Sequence, residues 1–128
     1  MASGTSNSVL LVDDELDLLS DLAEYLRSEG FEVAQATDGI DALSYLYASR
    51  PRVALIDLVM PRMSGIELIE QIRSDPSLAS VRVVAMSGTV LMLPRARIAG
   101  ANDVLRKPID PTALVRSLKR QGGQTRPG

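Results

Sequence analysis

Residues 53–74 read VALIDLVMPRMSGIELIEQIRS, and the fold follows from this stretch. Its first four residues, Val53, Ala54, Leu55 and Ile56, are all apolar. A strand buried on both faces of a parallel sheet reads that way. The run stops at an acid, Asp57. A loop containing Pro61 follows, and then Ser64 and Glu67, spaced as a capping box. Behind the cap come Ile66, Ile69 and Ile72, the spacing of a helix face turned toward a core. A strand that feeds directly into a capped helix is one βα unit.

The unit recurs on both sides. Further strands are expected at 9–12, 31–36, 81–86 and 102–106. Between the first two, Leu19, Leu22, Ala23 and Leu26 form an apolar helical stripe, and Gly30 ends it as a C′ residue would. Asp38 can cap a second helix that turns Leu43, Leu46 and Tyr47 inward. Asp110 and Pro111 suit the N-cap and first position of a last helix, with Leu114 and Leu118 facing the core. The fourth helix is irregular. Pro94 lacks an N–H and clashes with the carbonyl four residues earlier, so only a stub over 94–99 is expected, with 89–93 as loop. Strict alternation of five strands and five helices implies a three-layer, doubly wound parallel sheet with the fourth helix shortened. In a domain this small the fitting strand order is the flavodoxin-like 2-1-3-4-5.

A chain of 128 residues makes one domain, expected over 9–120, with flexible polar segments at 1–8 and 121–128. The tail QGGQTRPG resembles an interdomain linker as much as a terminus. Only 3% of residues are aromatic, so the core must be built from aliphatic side chains and Met. The net charge of -2 argues against direct nucleic-acid binding, which usually needs a basic face. There is no Cys and no His. Disulfides, thiolate metal sites and an imidazole base or phosphocarrier are therefore excluded, and a hard metal must be held by oxygen. No apolar run approaches the roughly 20 residues of a membrane span. The start, MASGTSNS, has neither a basic nor an apolar leader region. A cytoplasmic protein without a membrane association is expected.

In an open parallel sheet the functional site lies at the carboxyl ends of the strands. The first strand here runs into Asp13 and Asp14, the third into Asp57, the fourth into Ser87 and Gly88, and the fifth into Lys107 and Pro108. Taken singly, these are a capping pair, a strand-end acid, a turn and a solvated loop. Together they bring three carboxylates, one hydroxyl and one ammonium to one shallow pocket. Two carboxylates about 6 Å apart repel by roughly 3 kcal/mol at an effective dielectric of 20. Three of them call for a cation, and Mg²⁺ takes oxygen ligands. The same pocket suits phosphoryl transfer. A carboxylate can attack phosphorus, and the cation, Lys107 and the Ser87 hydroxyl can each take one phosphoryl oxygen. Backbone N–H groups after Asp57 and at Gly88 can add donors.

These residues resemble the receiver domains of bacterial response regulators, in two-component phosphorelay signal transduction. The likeness covers about 9–120. It rests on LLVDDE at 10–15, LIDLVMPRMSGIEL at 55–68, VVAMSG at 83–88 and GANDVLRKP at 100–108. The resemblance implies a phosphoprotein in which Asp57 accepts phosphate from a phosphohistidine on a sensor histidine kinase or histidine phosphotransfer protein. It implies Mg²⁺ ligated by Asp14, Asp57 and the Val59 backbone carbonyl, with Asp13 acting through water. Ser87 would be the switch hydroxyl, Lys107 the phosphate-binding cation, and the Lys107–Pro108 peptide cis. The output would go to an unknown downstream target or attached domain, from a monomer or weak dimer.

The sequence departs from the family where an aromatic ring usually follows the Asp of the fifth-strand motif. Val104 stands there, and Ile109 follows Pro108 where an aromatic is common. The interval from Ser87 to Gly100 is about two residues short of the family's usual length. Switching without a ring points to segment 88–93, whose Val90, Leu91, Met92 and Leu93 are hard to bury all at once. Two other readings share parts of the pattern. An aspartyl-nucleophile phosphatase would carry its paired acids, one residue apart, after the first strand, whereas here they are adjacent. A pseudo-receiver that binds partners without phosphorylation would not need the complete pocket. The chain is expected not to be an enzyme.

Overall fold

The computed structural model describes residues 7–122. Strands and helices alternate along it as β1 (Ser8–Val12), α1 (Leu16–Ser28), β2 (Glu32–Ala36), α2 (Gly39–Ser49), β3 (Val53–Asp57), α3 (Gly65–Ser74), β4 (Arg82–Ser87), α4 (Leu93–Ala99), β5 (Asp103–Arg106) and α5 (Pro111–Gly122). All strand pairs are parallel, in the order β2-β1-β3-β4-β5. This is the expected doubly wound, flavodoxin-like arrangement. Within the described residues, β1 begins at Ser8 and α5 runs to Gly122. The rest of the two segments expected to be flexible, residues 1–6 and 123–128, lies outside the described residues.

The central strands are apolar throughout because both faces are covered. Leu10, Ala54, Ile56 and Ala85 pack with Leu46 of α2 and Ile69 of α3 on one side. Their neighbours Leu11, Leu55, Val84 and Met86 pack with Leu22 of α1 and Leu114 of α5 on the other. Successive residues of a strand thus feed opposite layers. The expected caps are present. Asp38 accepts from the Asp41 N–H at 2.8 Å, and Ser64 and Glu67 form a reciprocal capping box.

Two local expectations change. Tyr47 does not face the core. It is exposed and donates its hydroxyl to Asp75, while Ala42 and Leu46 fill the inner face of α2. A phenol that can reach a carboxylate at the surface loses that partner when buried. Residues 89–93 are also more regular than a loop. Thr89 accepts from the Leu91 N–H, Val90–Met92 winds into a 3-10 turn, and α4 starts at Leu93 with Pro94 in its first turn. The first N–H groups of a helix need no partner inside it, so proline costs nothing there. Met92 and Leu93 are partly buried, whereas Val90 and Leu91 are exposed, Leu91 by 80%.

Arg73 joins the far ends of three elements. Its guanidinium donates to the carbonyls of Gly100 and Val81 and to the Asn102 side chain, at 2.8–2.9 Å. Gly100 closes α4 at φ 121°, a conformation that only glycine adopts readily, and a Cβ there would run into the Arg73 side chain.

Candidate functional site

The carboxyl ends of β1, β3 and β5 meet at one place. Asp13 follows β1, its N–H bound to the Ala36 carbonyl at 3.1 Å, and it is fully buried. Its Oδ1 accepts from the Glu15 N–H at 3.0 Å, and its Oδ2 accepts from Lys107 Nζ at 3.0 Å. Asp57, the last residue of β3, is almost as buried. Its Oδ1 accepts from the Val59 N–H at 3.3 Å, and its Oδ2 lies 3.5 Å from Lys107 Nζ. Lys107 follows β5. Its N–H donates to the Ser87 carbonyl at 2.8 Å, and the peptide bond to Pro108 is cis, as expected. Asp14 is exposed at the mouth.

Carboxylate oxygens of Asp13, Asp14 and Asp57 lie within 4.8 Å of one another. At that separation and an effective dielectric near 20, each charged pair repels by at least about 3 kcal/mol. The protonation behaviour reflects this crowding. Burial pushes the Asp57 carboxyl up to about 6, and the charge of Asp13 adds to the rise. Lys107 and the Val59 N–H offset part of it. Burial alone would lower the Lys107 ammonium. The hydrogen bond to Asp13 and the charges of Asp57, Asp13 and Glu15 outweigh it, so Lys107 is held above its usual range and stays charged. One ammonium does not balance this many carboxylates. An oxygen-only donor set with excess negative charge fits a hard divalent cation such as Mg²⁺.

The remaining expected residues stand close by, with different engagements. Ser87 ends β4 and is fully buried. Its hydroxyl donates to the Thr89 carbonyl and accepts from the Thr89 N–H, both at 3.1 Å. Among the described residues its hydroxyl bonds neither Asp57 nor Lys107. Val59 is exposed by 63% on the loop after β3.

Two residues of the site carry signals that the motif reading passed over. Glu15 places Oε1 3.5 Å from Lys107 Nζ, adding a fourth carboxylate to the expected three. It occupies the N-cap of α1 yet makes no side-chain capping bond, which is an unusual use of that position. Gly65 starts α3 directly beneath Asp57. A Cβ there would lie 2.3 Å from the Asp57 carbonyl oxygen and 2.6 Å from Leu58 Cα. Glycine in a first helical turn is a poor helix former, and that anomaly is visible in the sequence.

Comparison with known proteins gives a consistent result. The family model described as the response regulator receiver domain matches residues 9–119. The transcriptional regulatory protein PrrA of Mycobacterium tuberculosis is 36% identical over 124 residues, covering 94% of this chain and 53% of that protein. The DNA-binding response regulator MtrA of Mycobacterium leprae is 35% identical over 111 residues, covering 87% of this chain and 49% of that protein. The chain thus spans about half the length of these curated relatives. Among solved structures, a putative response regulator from Chloroflexus aurantiacus superposes with a TM-score of 0.85 at 30% identity, covering 92% of this chain and 98% of that one. The receiver domain of sensor histidine kinase PA1611 from Pseudomonas aeruginosa gives 0.84 at 30% identity, with the same coverage, and its structure has a magnesium ion coordinated in the active site cleft.

Proposed function

Because the chain belongs to the response regulator receiver domain family, we propose that Asp57 is its phosphoacceptor and that it signals by carrying an aspartyl phosphate. The observation that carries this reading is the setting of Asp57: a nearly buried carboxylate at the end of a central strand, with an ammonium 3.5 Å away and two further acids beside it. The donor is a phosphohistidine on a sensor histidine kinase or a histidine phosphotransfer protein. An Asp57 oxygen forms a bond to phosphorus, the P–N bond breaks, and the imidazole leaves with the bonding pair. Lys107 neutralises a phosphoryl oxygen. Asp14, Asp57 and the Val59 carbonyl, with Asp13 through water, would hold Mg²⁺, which would supply positive charge to the transferring group. For Ser87 to donate to a phosphoryl oxygen, its hydroxyl must give up the Thr89 carbonyl. That exchange draws on the turn carrying Val90 and Leu91, and so reaches an exposed apolar surface.

Incubation with a radiolabelled small acyl phosphate and Mg²⁺ tests the proposal. About one equivalent of base-labile label per chain is expected, and a chain that takes none refutes it. Mg²⁺ itself is expected to raise the melting temperature, since a ligand of the folded state alone stabilises it by about 1.4 kcal/mol at ten times its Kd. Asp13→Ala should flatten that response. A wild-type melting curve indifferent to millimolar Mg²⁺ would count against the metal site.

The lifetime of the phosphoryl group is expected to depend on Val59 and Thr89, each two residues beyond a site residue. Neither is acidic and Val59 is apolar, so an attacking water is poorly aligned. Replacing Val59 with Asn or Glu should change the self-dephosphorylation rate several-fold. Unchanged decay in both Val59 and Thr89 variants removes this role.

A further inference from the structure

Lys107 has three N–H bonds on its ammonium, and three carboxylates surround it. Asp13 lies at 3.0 Å, Asp57 at 3.5 Å and Glu15 at 3.5 Å. The contact to Asp13 is a hydrogen bond, and those to Asp57 and Glu15 are ion pairs that crowd the ammonium where an incoming phosphoryl oxygen must approach. One of the three must make room. Asp13 is fully buried, and its other oxygen is tied to the Glu15 N–H. Asp57 is the acceptor. The Glu15 side chain is 66% exposed, so water can solvate it as soon as it lets go. It is also dispensable to the helix that it precedes, since it makes no capping bond.

We infer that Glu15 is a positioning residue that holds Lys107 at the mouth of the pocket and restrains phosphorylation until a donor displaces it. The inference rests on the phosphoacceptor reading of Asp57. With a small acyl phosphate, an Asp57 oxygen bonds to phosphorus, the P–O bond to the acyl group breaks, and the carboxylate leaves with the bonding pair. No proton is transferred. During this step Lys107 exchanges the Glu15 oxygen for a phosphoryl oxygen. Glu15 acts twice against the step, by standing beside the ammonium that the phosphoryl oxygen must reach and by placing a negative charge in the path of an anionic donor.

Lys107 and Lys119 are the only lysines of the chain, which makes the first half of the test direct. In metal-free protein with isotope-labelled lysine, Glu15→Gln should shift the side-chain NMR signal of Lys107 and leave that of Lys119 in place. In the second half, acetyl phosphate is the donor at fixed, saturating Mg²⁺. Glu15→Gln should raise the second-order rate of phosphorylation about three- to ten-fold at low salt, with the gain shrinking near 0.5 M salt. Asp17→Asn is the control for bulk charge. Asp17 is an exposed acid in the first turn of α1 that makes no ion pair among the described residues, so its removal should leave the rate nearly unchanged. An unmoved Lys107 signal, a rate that is unchanged or slower in Glu15→Gln, or an equal gain in Asp17→Asn overturns the inference. A wild type that takes up no phosphate brings down the phosphoacceptor reading and this role with it. The lysine signal distinguishes that failure, because it reports the Glu15–Lys107 pair in the absence of any donor.

Discussion

Asp57→Asn is expected to end phosphate incorporation from both a small acyl phosphate and a phosphohistidine donor. The amide is nearly isosteric with the carboxylate but is not a nucleophile that can form an acyl phosphate. Label that persists in the variant would move the phosphosite elsewhere. The same substitution should change stability in a defined direction. Asp57 titrates at about 6 in the folded chain and near 3.9 when unfolded. Between those values the folded state keeps a proton that the unfolded state releases. The contribution of Asp57 to the stability of the metal-free protein therefore falls as pH rises from about 4 to about 6, by roughly 3 kcal/mol, and then levels off. The groups facing this titration are Asp13 and Lys107, with Asp14 and Glu15 at the mouth. Asp57→Asn removes this contribution, so the metal-free variant should exceed the wild type in stability at pH 7. Urea unfolding in chelator at pH 4, 5, 6 and 7 measures it. Parallel curves for the two proteins would show that Asp57 is not the strained group.

Gly65→Ala is expected to be strongly destabilising although it adds a single methyl. The new Cβ would sit 2.3 Å from the Asp57 carbonyl oxygen and 2.6 Å from Leu58 Cα. Both are backbone atoms of the strand end and loop that carry the site, so no rotamer change relieves the contact. Either α3 shifts or β3 bends. Overpacking in a core costs about 1–3 kcal/mol when side chains can adjust, and the upper end or beyond applies here. A melting point about 10 °C below wild type is expected. Phosphorylation should fall too, because the shift acts directly on Asp57. The contrast is Gly88, where an added Cβ meets nothing within 4 Å. Gly88→Ala should cost far less. Equal melting points for the two variants would refute the close-approach account.

The sheet order and both layers of the core were legible because the pattern is redundant. Leu19, Leu22, Ala23 and Leu26 are all buried, and so are Val53, Ala54, Leu55 and Ile56. A strand that must be covered on both faces tolerates few polar residues, and its neighbours are constrained by right-handed crossovers. Errors arose where a residue has two acceptable homes. Tyr47 fits the spacing of an inward stripe, yet its hydroxyl reaches Asp75 at the surface. Thr89 could belong to a loop or cap a turn, and its bond to the Leu91 N–H makes it a cap. Neither choice is encoded in local periodicity.

Which acids, hydroxyl and ammonium stand at the strand ends was determined by the sequence alone, since topology dictates that the ends of β1, β3, β4 and β5 share one edge of the sheet. How they are engaged was decided only by the tertiary structure. Lys107 is 94 residues from Asp13 and yet is its hydrogen-bond partner at 3.0 Å, and it shares its ammonium with Glu15 as well as Asp57. The Ser87 hydroxyl is turned to Thr89, and Gly65 sits against the Asp57 backbone. The physical reason is that a side chain's direction and its choice among competing partners depend on atoms brought together from distant elements. Spacing along the chain specifies which elements are neighbours, but it leaves an ammonium among several carboxylates free to divide itself between them. That division follows from distance, burial and charge, which exist only once the chain has folded.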